Sequence, residues 1–181
     1  NRLKSGRLCE AVQESLQESL AFLDGQVAKL EAQINDHIDQ HPDLQQEAGL
    51  LTSIPGIGDK TAAKLLAELP AVERFAHAGQ AVAYAGLSPQ EHTSGSSVRK
   101  KSHLTKIGKR SIKTAMYFPA LIAMRHNPII QALVERLEKR GKEKMVIVGA
   151  AMRKLFQLAY GVLKSGKPFD PNYANLSQGT A

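Results

Sequence analysis

Six apolar residues, Leu16, Leu20, Leu23, Val27, Leu30 and Ile34, follow one another at intervals of 4, 3, 4, 3 and 4. That spacing keeps an apolar seam on one side of an α-helix and is the repeat of a coiled coil. It predicts one long helix over residues 8–40. Gly25 lies inside it and costs about 1 kcal/mol relative to alanine, without shifting the register. His41-Pro42-Asp43 ends it, because a residue before proline avoids the α region. One stripe cannot bury itself, so the helix needs a partner. Two readings stand: an amphipathic helix packed on its own domain, or a coiled coil shared with a second copy or another domain.

The remaining chain also reads as helical. It has no Trp and only 5% aromatic residues, while 43% of the 181 residues are hydrophobic, enough to bury a core. The expected fold is all-α: a coiled-coil helix over 1–43, a compact helical domain over 44–165 and a flexible tail over 166–181. Within that domain, helices are expected from Leu44 to Thr52, Asp59 to Leu69, His77 to Tyr84, Lys109 to Met124 and Glu143 to Leu163. Pro119 should kink the fourth of these. A further helix begins at Asn127, a good cap, with Pro128 at its first position, and runs to Arg140 before Gly141. Residues 88–109 lack helical periodicity at their start and read as a loop or short hairpin.

Charge is divided unevenly. Residues 1–48 carry nine acids and four bases, net −5, whereas residues 49–181 carry eight acids and twenty bases, net +12. The second part looks like a polyanion binder and the first does not. The lone Cys9 excludes a disulfide framework within one chain. The chain starts at Asn1 without a signal peptide or an apolar run of about 18 residues, so the expectation is a piece of a longer cytoplasmic protein with no membrane contact.

Three segments can carry function. Ile54-Pro55-Gly56-Ile57-Gly58 separates two helices and resembles the helix-hairpin-helix turn of DNA-binding proteins. Gly56 and Gly58 allow a sharp turn and close approach of a phosphate, and the next helix offers free N–H groups, an Asp59 cap, Lys60 and Lys64. The plain reading is a tight turn without a ligand. The second segment gathers Arg99, Lys100, Lys101, Lys106, Lys109, Arg110 and Lys113 within fifteen residues, and no acid occurs from 92 to 134. Such a run is often a solvated face. Forty-three residues without a balancing carboxylate, however, point to nucleic acid held mainly through its phosphates. The third is Thr93-Ser94-Gly95-Ser96-Ser97. Its hydroxyls are weak nucleophiles unless activated, and polar Ser/Gly loops are common. The histidines form no zinc-ligand pattern: His37 and His41 are four apart but Pro42 disrupts that turn, while His92 and His103 flank the basic segment and read as surface residues, with phosphate contact or proton transfer as the alternative.

The order of these segments resembles a known family. Leu51-Thr52-Ser53-Ile54-Pro55-Gly56-Ile57-Gly58 precedes Ala83-Tyr84-Ala85-Gly86-Leu87-Ser88-Pro89, then Ser94-Gly95, then Lys106-Ile107-Gly108 and a helix. This order is similar to the C-terminal domain of the insertion-sequence 110 / 116 / 902 transposases, the DEDD recombinases guided by a bridge RNA. The resemblance implies a recombinase that moves a mobile element, with DNA and a guide RNA as partners and a homo-oligomer held by the coiled coil. It implies that Ser94 is the catalytic nucleophile, attacking DNA to form a covalent phosphoserine, with Ser96 and Ser97 as neighbouring alternatives. It also implies a separate N-terminal domain whose acids bind a divalent metal, magnesium by expectation. This chain would need no cofactor of its own and would be inactive alone. Two other readings remain: a non-catalytic helix-hairpin-helix nucleic-acid-binding and dimerisation module, and an assembly domain built around the coiled coil.

Overall fold

The computed structural model describes residues 10–90, 93–94, 98–99, 103–105 and 107–172, and the chain divides into two compact units, 1–42 and 43–181. The fold is all-α apart from four two-residue strands among the described residues.

The first unit is one helix, α1 (Glu10–Asp39), of 30 residues and therefore about 45 Å long. None of its residues is buried. Leu20, Leu23, Val27, Leu30 and Ile34 are 47–58% exposed, so the apolar seam lies open to water in the single chain. The helix ends as its sequence requires. The His41 ring nitrogen Nδ1 meets the carbonyl of His37 at 2.7 Å, and the two rings lie 4.3 Å apart. Pro42 then opens the next helix at a position where its missing N–H costs nothing.

The second unit is built on α8 (Lys144–Ser165). Ile147, Val148, Ala151, Met152, Leu155, Phe156, Ala159 and Tyr160 are buried, a repeat of paired positions that gives a broad apolar face. Against that face pack α4 (Ala78–Tyr84), α6 (Tyr117–His126) and α7 (Pro128–Lys139). By length and composition α8 is long and apolar enough to cross a membrane, but half of that stretch is buried inside the unit, where it forms the central helix of the core. Leu155 is wholly buried. Truncating it to alanine removes that packing and costs about 2–5 kcal/mol.

The helix expected over 109–124 is in fact two. Helix α5 (Arg110–Ala115) stops four residues before Pro119, and α6 begins at Tyr117. Proline has no N–H to give to the carbonyl four residues back, and its ring clashes with that carbonyl. The break therefore falls one turn ahead of Pro119, at Met116, which keeps helical angles (φ −80°, ψ −9°). The two helices thus form one bent rod. Its inner face is Ile112, Met116, Pro119, Ala120 and Ala123.

At its end α8 is closed by Gly166 in the left-handed conformation, φ +63°. The chain then folds back: the Phe169 N–H donates to Ser53 Oγ at 2.8 Å, and Ser53 Oγ donates to the Leu50 carbonyl at 2.6 Å. The segment after α8 is thereby tied to the turn that follows α2 (Pro42–Thr52).

Candidate nucleic-acid interface

The glycine-rich turn joins α2 to α3 (Asp59–Glu68). Gly56 has φ +111°, and a Cβ there would lie 2.7 Å from Ala123 Cβ and 2.9 Å from the Pro119 carbonyl oxygen. Its bare α-carbon is thus occupied by α6 rather than held open for a ligand. Asn127 completes the clasp. Fully buried, it accepts from the N–H groups of Ile129 and Ile130, capping α7 as its sequence predicts, and its amide donates to the Pro55 carbonyl at 3.4 Å. Gly58 differs. It is exposed, has open space around its α-carbon, and itself stands at the N-cap of α3, where the sequence had suggested Asp59.

A second pair of glycines joins two segments 22 residues apart in sequence. A Cβ on Gly108 (φ +108°) would lie 2.5 Å from Gly86 N and 2.6 Å from Gly86 Cα. The Lys109 N–H donates to the Tyr84 carbonyl at 2.8 Å across the same contact. Between these two points the chain forms an antiparallel hairpin. Thr105 N–H donates to the Ser88 carbonyl at 2.9 Å, β1 (Pro89–Gln90) pairs with β4 (His103–Leu104), and β2 (Thr93–Ser94) pairs with β3 (Val98–Arg99). Ser94 stands opposite Val98, and Thr93 opposite Arg99. The hairpin base rests on α8, where Leu104 side-chain atoms come within 3.6–3.8 Å of a Cβ position on Gly149. The return arm leads through Gly108 straight into Lys109 and Arg110.

Helices α3 and α5 then enclose an open cleft of about 650 Å³, lined by Lys60, Thr61, Lys64, Arg110, Ser111, Thr114 and Ala115. Cations from the glycine-rich segment and from the basic segment, far apart in sequence, meet across it. One acid sits among them. Glu68, whose side chain is 17% exposed, takes Lys64 Nζ at 2.8 Å and Lys109 Nζ at 3.2 Å. Hydrogen bonds from Lys64, Ser111 and Lys109 hold its carboxyl down to about 2, and the same carboxylate raises Lys109. The effect is to pin Lys64 and Lys109 beside a cleft whose lining carries three basic side chains, Lys60, Lys64 and Arg110. Lys113 turns aside and donates to the Thr105 carbonyl at 3.1 Å, bracing the hairpin base.

The structure thus brings together Lys60, Lys64, Lys109 and Arg110, sets Lys113 beside them, and places Gly56 in the packing. For Ser94 and Arg99 it gives the backbone pairing only. Lys100, Lys101, Lys106, Ser96 and Ser97 lie outside the described residues. Sequence reasoning passed over Glu68, Ser111 and Asn127's bond to Pro55. Glu68 had one visible signal, its i,i+4 spacing from Lys64. Among the described residues no group of three or more His, Cys, Asp or Glu side chains could hold a metal ion.

Comparison with known proteins bears on this arrangement directly. Residues 48–135, from the end of α2 through both glycine clasps, the hairpin and the cleft, match the model of the transposase IS116/IS110/IS902 family. The chain belongs to this family. Relatives extend the likeness over nearly all of it. The chain is 34% identical over 170 residues to the pilin gene-inverting protein of Moraxella bovis, covering 93% of this chain and 53% of that protein. The pilin gene-inverting protein of Moraxella lacunata matches with the same figures. The 43.6 kDa protein of insertion element IS110 from Streptomyces coelicolor is 32% identical over 157 residues, 87% of this chain and 38% of that protein. The chain thus spans about half the length, or less, of the curated relatives it matches.

Proposed function

We propose that this chain is the DNA-holding, nucleophile-bearing part of an insertion-sequence recombinase, with the α3–α5 cleft seating the phosphate backbone and Ser94 attacking it. The observation that carries the proposal is the path of one segment. A hairpin bearing Ser94 returns through the Gly86–Gly108 clasp directly into the cationic wall of the cleft. Family membership supplies the reaction class.

The chemistry is a transesterification. The Ser94 hydroxyl attacks a DNA phosphodiester, a new P–O bond to the serine forms, one P–O bond to deoxyribose breaks, and the freed sugar hydroxyl takes up a proton. The ester count is unchanged, so the reverse attack by a sugar hydroxyl rejoins DNA without an energy donor. Lys60, Lys64 and Arg110 are placed to neutralise phosphates along the strand, and Arg99, opposite Thr93 on the hairpin, stands one register position from the Ser94–Val98 pair. A guide RNA and self-association through α1 belong to the same proposal. The open seam of α1 supports the second.

The test uses a protein of the relatives' full length carrying this chain. Ser94→Ala should abolish protein–DNA adducts that survive denaturation while leaving DNA affinity unchanged. Adducts that persist in Ser94→Ala and vanish with Ser96→Ala or Ser97→Ala would move the nucleophile along the hairpin. Indifference to all three changes would leave the non-catalytic binding module as the correct reading.

A further inference from the structure

Phe118 is 71% exposed, a large aromatic ring in open water on the α5–α6 rod. Its position follows from the bend at Met116. Because Met116 keeps helical angles, residues three and four apart still share a face across the bend. Arg110, Thr114 and Phe118 therefore run along one side, opposite the buried Ile112, Met116, Ala120 and Ala123. Arg110, Thr114 and Ala115 line the cationic cleft, so Phe118 stands one turn beyond its end, with exposed Ile122 and Arg125 one and two turns further. The ring is braced rather than loose. Tyr117 meets it edge-on at 5.4 Å and 78°, and the next residue, Pro119, is buried and fixes the backbone.

We infer that Phe118 is a stacking platform for an unpaired nucleobase of the nucleic acid held in the cleft. This rests on the reading of the cleft as a phosphate site. Charge selects the occupant: the ring lies within the 43 residues, 92–134, that hold no acid, and follows a cleft lined by Lys60, Lys64 and Arg110. An apolar protein partner would have to desolvate those cations, whereas a nucleic acid satisfies both features, phosphates on the cations and a base on the ring. A base inside an intact duplex offers no free face, so the ligand must have unpaired nucleotides, as a strand opened during recombination does.

The test uses the 181-residue chain and fluorescently labelled oligonucleotides at low salt: a single strand, the same strand with abasic sites, and a fully paired duplex. Phe118→Ala should weaken single-strand binding roughly 5- to 150-fold, the range of one stacked base, and leave the duplex and abasic strand nearly unchanged. The chain has no tryptophan, so Phe118→Trp introduces a single indole whose emission should be quenched by the single strand and not by the abasic strand. Unchanged single-strand affinity in Phe118→Ala, or binding without quenching in Phe118→Trp, overturns the inference. So does an equal loss on all three ligands, or a change confined to oligomeric state in sedimentation. If the parent chain binds none of the three, the cleft reading itself fails, and the stacking role falls with it.

Discussion

Gly108→Ala is the sharpest test of why two sequence motifs travel together. The substitution places a Cβ 2.5 Å from Gly86 N, 2.6 Å from Gly86 Cα and 2.8 Å from the Tyr84 carbonyl oxygen. All three neighbours are backbone and cannot swing aside. The residue also keeps φ +108°, which costs an L side chain about 1–3 kcal/mol. Overpacking against fixed atoms costs about 1–3 kcal/mol more. The Lys109 N–H bond to Tyr84, 2.8 Å long, must stretch if the loop moves to relieve the clash. The expected loss is therefore about 2–6 kcal/mol, a large share of a typical stability of about 5–15 kcal/mol. For a unit of this size that lowers Tm by on the order of 10 °C, read by circular dichroism at 222 nm. Gly49→Ala is the control. Gly49 is an exposed helical residue with nothing within 4 Å of its Cβ position, and alanine there should stabilise by about 0.5–1 kcal/mol. If Gly108→Ala melts within about 2 °C of the parent, a shift too small for the clash described, the two glycines do not form the contact on which the hairpin base depends.

Asn127→Ala should cost about 2–3 kcal/mol in urea unfolding, since it removes the α7 cap and leaves the Pro55 carbonyl without its buried donor; a loss below about 0.5 kcal/mol would deny that role. For Glu68 the folded carboxyl is depressed to about 2, so its contribution is full above the unfolded value of roughly 4.3 and is lost as pH falls through about 2. The parent chain should therefore destabilise more steeply than Glu68→Gln across that acid window, and parallel curves would contradict the pairing. Above pH 5, Glu68→Gln should bind DNA more tightly at low salt, the gain fading as salt rises, because a negative charge leaves the cleft. Lys60→Ala, Lys64→Ala and Arg110→Ala should each flatten the slope of log affinity against log salt by about 0.7–0.9, and an unchanged slope would remove that residue from the phosphate path.

The helices were legible because their signals are local. The apolar spacing that predicts α1, the Asn127-Pro128 start of α7 and the stop before Pro42 are local signals, and the structure places the long helix, its end and the start of α7 where the sequence does. Pro119 marked a bend, but its clash falls on the carbonyl four residues back, so the break moved to Met116. What could not be read were groups that meet only after folding. Glu68 looks like half of a helical ion pair with Lys64, yet its second lysine is 41 residues away. Phe118 lies in Tyr117-Phe118-Pro119-Ala120-Leu121-Ile122, a run apolar enough to pass for core throughout, and only the direction of the rod shows which of its faces meets water. The same limit explains why the ordered motifs identified the chain before any one of them could be explained. Gly56 reads as a phosphate turn and proves to be a seat for α6; Gly86 and Gly108 stand in two separate motifs and prove to be one contact. Each constraint is a close backbone approach, which tolerates only glycine at a fixed position and so leaves a mark in sequence. A cationic surface is satisfied by many placements of lysine and arginine and leaves only a bias in charge. The motifs that name the family are thus the parts that hold the hairpin and cleft in place, while the proposed chemistry falls to residues whose sequence signal is weaker.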